Sequence, residues 1–397
     1  MSLRLRRLST ALTIAVLLTG GAALAANDPA SALPAPAEVL KTMRSVNGYF
    51  MLKNPDPGRP SITTTVRPGA APRATTRASN IWTRAVYYEG LMALHGVDPD
   101  SRYTDYAVKW GESHAWGLVG GPTTAHADNQ CCGQTYLDLY ALDPKPERIR
   151  DLEASIAGMV KDPKTDAWWW CDALQMAMPV FARLGVLNHD PQDFEKMHAL
   201  YEDSKTRQGG PGLYNAEEHL WWRDKDFLPP YREPNGRNSY WARGNGWVLA
   251  ALVRVLDALP PDAAHRGEYV RDFQAMAAAI RPLQRPDGYW NVSLLDPGNF
   301  GGKEVTGTSL FVYGFASGIR QGLIPAKDFG PAIARAWNAM AKEAVHPDGF
   351  LGYVQGTGKQ PSDSQPVTYD HKPDFEDFGI GCFLLAGSET WKLASAR

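Results

Sequence analysis

An all-α fold, an (α/α)6 barrel of six helical hairpins with a few short loop strands, is what this sequence predicts. Apolar residues recur at helical spacing through eleven long stretches, and strand candidates are few and short. A Pro-Asp-Gly turn also repeats at the interval of one helical hairpin. It occurs in Gln284-Arg285-Pro286-Asp287-Gly288-Tyr289-Trp290 and in His346-Pro347-Asp348-Gly349-Phe350-Leu351-Gly352, each time ending a helical stretch and preceding an aromatic. The turns lie 61 residues apart (348 minus 287). Roughly 370 mature residues divided by that period give about six units. Closed into a ring, the inner helices line a cavity and loops at one end build the site. The competing arrangement is an open solenoid, against which the long loops and unlike terminal repeats speak. Residues 27–397 form a single domain on this reading.

The elements follow in order. Met1 to Ala26 reads as a secretory signal peptide: Arg4, Arg6 and Arg7 precede a short apolar run, Leu8 to Leu18, and Ala23-Leu24-Ala25 offers a small-x-small cleavage pattern. Export to the periplasm or exterior of a bacterium is expected. The apolar run is short of the ~20 residues that span a bilayer, and no other stretch suits a membrane. A Pro/Gly/Thr-rich connector occupies Asn54 to Ala78. Helical patterns then run over Trp82 to His95, Tyr103 to Trp116, Cys131 to Tyr140, Pro146 to Val160, Trp169 to Leu184 and Pro191 to Thr206. Further ones cover Gly246 to Leu259, His265 to Leu283, Thr308 to Arg320, Pro325 to Ala344 and Phe378 to Thr390. Leu213 to Asn215 faces His219 to Trp222 as a short hairpin.

Composition narrows the function. The 397 residues carry a net charge of -2, which becomes -5 when the three arginines of the leader are removed. A nucleic-acid binder shows a basic excess, so that class is excluded. Thirteen Trp, 16 Tyr and 13 Phe are more rings than a core of this size needs, and they suit a concave site that stacks on sugars. The four cysteines, Cys131, Cys132, Cys171 and Cys382, form no metal-binding pattern. No metal or cofactor is expected, and no oligomeric state is assigned.

Three segments look chemical. In Trp168-Trp169-Trp170-Cys171-Asp172-Ala173-Leu174-Gln175-Met176, Asp172 is a lone carboxylate in a very apolar stretch, where an ionised form is costly. In His126-Ala127-Asp128-Asn129-Gln130, polar side chains cluster before a helix. Both aspartates have a plain alternative as helix N-caps. In Tyr240-Trp241-Ala242-Arg243-Gly244-Asn245-Gly246-Trp247, Arg243 between two tryptophans suits bidentate capture of a carboxylate, or else a cation–π packed loop. His219 sits in the aromatic stretch Glu217-Glu218-His219-Leu220-Trp221-Trp222-Arg223-Asp224, where a solvated loop histidine is the plain alternative.

Together, and in this order, these segments resemble the unsaturated rhamnogalacturonyl hydrolases (glycoside hydrolase family 105), relatives of the unsaturated glucuronyl hydrolases of family 88. Ser293-Leu294-Leu295-Asp296-Pro297 and Phe383-Leu384-Leu385-Ala386-Gly387-Ser388-Glu389 match as well, so the resemblance runs from about Trp82 to Trp391. It implies an (α/α)6 barrel acting on the 4,5-unsaturated uronyl unit, galacturonyl or glucuronyl, at the non-reducing end of lyase-generated oligosaccharides. It also implies hydration of the C4=C5 double bond, with Asp172 as proton donor and activator of water and Asp128 assisting. His219 and Arg243 position the substrate, Arg243 at its carboxylate. Trp241 and Trp247 are stacking walls, with Trp82 and Tyr88 as further ones. Two other readings are carried. An ordinary inverting glycosidase would use Asp128 as the second carboxylate, and a non-catalytic periplasmic carbohydrate-binding protein would need only the tryptophans.

Overall fold

The computed structural model describes residues 32–65 and 73–396; the signal-peptide reading of residues 1–26 lies outside them. Among the described residues the chain forms α1 (Pro36–Lys53), β1 (Ser61–Thr65), β2 (Arg73–Arg77), α2 (Trp82–His95), α3 (Ser101–Ser113), the one-turn α4 (Ala127–Gln130) and α5 (Cys132–Leu142). Next come α6 (Arg150–Lys161), α7 (Ala173–Asn188), α8 (Pro191–Thr206), β3 (Tyr214–Asn215), β4 (Leu220–Trp221) and α9 (Ala242–Ala258). The chain ends with α10 (Arg266–Ile280), α11 (Val305–Arg320), α12 (Ala326–Glu343) and α13 (Asp377–Ser395). No described helix is long and apolar enough to cross a membrane.

Six helices, α2, α5, α7, α9, α11 and α13, touch one another in a closed ring in which α13 returns to α2. Outside them lie α1 on α13, α3 on α2 and α5, α6 on α8, α8 on α7, α10 on α9 and α12 on α11. This is the expected barrel of hairpins. Sequence pattern assigns the layers. Inner α11 is buried on every side from Val305 to Gly318. Outer α12 buries one stripe, Phe329, Ile333, Ala336, Trp337 and Met340, at the three- and four-residue spacing of an amphipathic helix. The repeated turn behaves alike in both copies. Gly288 and Gly349 take φ +92 and +93, and each carries the chain from an outer helix toward the next inner one.

The ring closes at a tight seam. A Cβ on Gly90 of α2 would lie 2.5 Å from the carbonyl oxygen of Gly381 on α13, so both positions need glycine for the backbones to meet. Arg84 and Asp377 form a buried ion pair of 3.1 Å across the same seam.

Three local departures from expectation matter. Helix α1 was not anticipated. The connector holds a two-stranded ribbon, β1 against β2, with Ile62 opposite Thr76. Helix α7 starts at Ala173 rather than Trp169, because Trp170 bridges Asp224 and the Cys171 N–H donates to the Arg223 carbonyl at 2.8 Å. That strand-like pairing leaves Asp172 at the mouth of the helix.

Candidate active site

The N-terminal ends of α2, α4, α7 and α9 meet at one end of the ring, where Trp82, Asp128, Asp172 and Trp241 face one another. There a narrow cavity of about 50 Å³ opens. It gathers six of the eight residues selected from sequence: Trp82, Asp128, Asp172, Trp241, Arg243 and Trp247. Trp170, Met176, Arg223 and Gly358 complete its wall. Helix N-termini carry partial positive charge, which favours an anionic guest.

Neither aspartate spends its side chain on capping. Asp172 occupies the N-cap position of α7 but makes no capping bond. Instead its Oδ2 accepts from Arg223 Nε at 2.9 Å and from the Cys171 thiol at 3.8 Å. The cap of α4 is His126, whose Nδ1 accepts the Asp128 N–H at 3.2 Å. Burial lowers the pKa of His126, so its ring is neutral near pH 7 and free to accept. Asp128 then faces the cavity with 24% of its side chain exposed. Enclosure by the wall, and secondarily the charge of Asp172, push its pKa up to about 7 against the pull of Arg223 and Arg77. The site thus sets Asp172, bonded to a guanidinium, beside a carboxyl whose hold on its proton reaches toward neutrality.

The family profile described as Glycosyl Hydrolase Family 88 matches residues 42–394. The chain belongs to glycosyl hydrolase family 88. It is 33% identical over 332 residues to an unsaturated 3S-rhamnoglycuronyl hydrolase of Formosa agariphila, covering 79% of this chain and 84% of that one. A solved structure described as a family 88 glycosyl hydrolase from Bacteroides vulgatus superposes with TM-score 0.79 at 32% identity, over 90% of this chain and 99% of that one. Another, described as a polysaccharide lyase, gives TM-score 0.80 at 30% identity over 91% and 99%.

In this family 88 hydrolase, three sequence assignments change. Arg243 lines the cavity, but its two terminal nitrogens are committed: Nη1 donates to the Gln355 carbonyl and Nη2 to the Gly356 carbonyl, both at 2.7 Å. Its guanidinium stacks 4.4 Å from the Trp241 ring centroid, and Trp241 Nε1 donates to Gln355 Oε1 at 2.9 Å. Arg243 therefore fixes the loop that carries Gly358 to the cavity, and of its three guanidinium nitrogens only Nε is left without a partner. Tyr88 is no wall of the cavity: it is fully buried and stacks 4.0 Å from Trp110 of α3, on the outer side of α2. His219 does not line the cavity either. It takes φ +55 in the β3–β4 turn, with its Nδ1 2.9 Å from Tyr214 Oη.

Arg223 is the residue that the sequence reading left without a role. The hairpin delivers it. Asn245 in the first turn of α9 accepts the Trp221 N–H at 2.8 Å and donates to the Trp221 carbonyl at 3.0 Å, so β4 is pinned two residues before Arg223. Asp224 then holds Nη1 at 2.7 Å, and Nη2 bonds to nothing among the described residues. The Glu218 carboxylate accepts from Tyr240 Oη at 2.6 Å and Asn238 at 2.7 Å, which fixes the approach to Trp241.

Among the described residues one His/Glu group has metal-ligand spacing: His198, Glu202 and Glu268, on α8 and α10 and apart from the cavity. Lys205 already stands there, bonded to Glu268 and, at 2.7 Å, to Asp272. The described cysteines are all buried and unpaired.

The raised pKa of Asp128 has a measurable consequence. A carboxyl with a folded pKa near 7 and an unfolded one of about 3.9 contributes stability below pH ~4 that is lost as pH rises through ~7. Asp128→Asn removes that dependence. The variant is expected to melt higher than wild type at pH 8 and no higher at pH 4, by calorimetry at both values. Equal melting temperatures at pH 8 would show that Asp128 ionises there without strain.

Proposed function

We propose that this enzyme removes the 4,5-unsaturated uronyl unit from the non-reducing end of lyase-generated oligosaccharides by hydrating the C4=C5 bond. The pairing of a proton-bearing Asp128 with an Arg223-bound Asp172, in a cavity walled by Trp82, Trp241 and Trp247, carries this reading. The relatives' names support the substrate class. Asp128, the carboxyl with the raised pKa, gives its proton to C4 in place of Asp172, to which the sequence resemblance had assigned the donor's part. Asp172 takes a proton from a water molecule whose oxygen bonds to C5. The hemiketal formed at C5 opens to a ketone, the anomeric carbon releases the aglycone, and solvent returns the proton from Asp172 to Asp128. Arg223, with Nη2 uncommitted, replaces Arg243 as the partner for the uronate carboxylate. A protein that only bound sugars would have no use for an Arg223-paired carboxyl beside one whose pKa is pushed up to about 7.

The test is the ultraviolet absorbance of the conjugated alkene. Disaccharides made by lyases from ulvan, pectin and glycosaminoglycans should lose it, with release of a saturated sugar. A lyase would raise the absorbance of intact polymer instead, and an ordinary inverting glycosidase would act on saturated uronosides.

Trp169 bears on the next sugar. It is the large aromatic most exposed among the described residues, at 47%, and it stands 4.4 Å from Trp170 in the cavity wall. Its open face is placed for the aglycone. Trp169→Ala is expected to raise KM about 3- to 10-fold for a disaccharide while leaving kcat in place. Steady-state kinetics showing an unchanged KM would remove it from that role.

A further inference from the structure

Beneath the cavity, in the axis of the ring, Glu89 of α2 buries a carboxyl whose side chain is 0% exposed. Its oxygens serve two helices. Oε1 accepts from the Cys131 thiol at 3.3 Å and from Gln134 Nε2 at 3.0 Å, while Oε2 accepts from Gln175 Nε2 at 2.9 Å. Cys131 follows Asp128 by three residues and Gln175 follows Asp172 by three. At ~1.5 Å of rise per residue, each tie lies about 4.5 Å below a reacting carboxyl. Gln134 and Gln175 leave their own Oε1 atoms buried without a partner, so both amides are turned to aim N–H groups at Glu89. Gln134 Nε2 also donates to the Gln175 carbonyl at 2.8 Å, joining α5 to α7 directly. An apolar side chain would fill this place at less desolvation cost, and general packing does not explain a carboxylate shared in this way.

We infer that Glu89 is a positioning residue that bolts the turns beneath Asp128 and Asp172 to α2 and so fixes the separation of the two carboxyls. The inference rests on these two being the reacting pair. The charged groups facing Asp128 are Asp172, Arg223 and Arg77, with His126 beside it. Those facing Glu89 are Arg254, at 3.7 Å, with Cys131 and Asp138. Loosening either tie lets the pair move apart, which weakens the repulsion from Asp172 that adds to burial in keeping a proton on Asp128.

Three variants of the full chain test this: Gln175→Met cuts the tie to α7, Glu89→Met cuts both, and Glu89→Gln preserves both. In the last, the Gln175 amide can turn its unpartnered oxygen toward the new N–H. Two quantities are read, kcat and KM on an unsaturated uronyl disaccharide, and the titration of Asp128 by NMR of carboxyl-labelled aspartate without substrate. Gln175→Met should lower kcat about tenfold, as a fraction of an ångström of misplacement does. KM should stay within about twofold, and the Asp128 titration should move to lower pH. Glu89→Met should do at least as much, and Glu89→Gln should match wild type within about threefold. A folded Gln175→Met enzyme with wild-type kcat and titration overturns the inference. So does a loss of kcat in every variant with the Asp128 titration unmoved, since that is damage without positioning. If wild type leaves the disaccharide untouched, the activity reading fails and the titration alone decides about Glu89.

Discussion

Asp172→Asn is expected to lower kcat by about 10²–10⁴-fold, the usual contribution of a general acid–base group, with little change in fold. An amide is cheaper to bury than a carboxylate, and Asn keeps an oxygen to accept from Arg223, which Asp224 continues to hold. Substrate should still bind, so the alkene absorbance of a mixed sample persists while the sugar remains displaceable. A single-turnover experiment with excess enzyme separates this from weakened binding. A folded variant within a few-fold of wild-type turnover would refute the assignment, and the base would then have to be sought elsewhere in the cavity.

Arg223→Gln is the second large effect. The guanidinium is the charge partner of Asp172 in a wall where its own side chain is 16% exposed. Its removal leaves two carboxyls facing one cavity without the cation between them. An unpaired carboxylate in a dense site holds its proton more tightly, so the acidic limb of kcat/KM should move to higher pH. Maximal activity should fall by about 10²-fold. KM for the charged substrate should rise as well, because Nη2 no longer meets the uronate. A pH–rate profile of the variant with an unmoved acidic limb would separate Arg223 from the chemistry.

How much of this was legible beforehand depended on distance along the chain. Helix α8 was bounded correctly because Asp190 and Pro191 mark its start by local chemistry. Helix α1 carried its own signal, Val39, Met43, Val46 and Phe50 on one buried face, but it follows an Ala/Pro-rich leader that masks it. The β1–β2 ribbon was hidden in a connector whose Thr, Arg and Pro residues read as loop. Within the site, Asp128 and Asp172 were found because each stands out in its own segment. Tyr88 was misplaced for a reason the helix itself supplies. Six residues after Trp82 at about 100° each put it well off the cavity face, toward Trp110. Arg223 was in view, but its bond to Asp172 spans 51 residues, and no local pattern announces such a contact. Arg243 looked like a ligand clamp because sequence cannot show that two carbonyls from 112 and 113 residues away already fill the fork.

The seam between α2 and α13 also bears on how the protein is made. Arg84 and Asp377 are 293 residues apart in sequence, so the ring can close only when nearly the whole chain is present to fold. Contacts of such long range are slow to form, and synthesis delivers the N-terminal hairpin first. Until α13 docks, the apolar inner face of α2 has no neighbour on one side. Trp82 likewise lacks Phe378, which stands 5.2 Å from it in the finished ring. Trp82, a wall of the cavity, therefore gains its support from α13 only at the step that completes the ring. A chain without its last helix lacks the element that joins α11 back to α2 and backs Trp82 from behind.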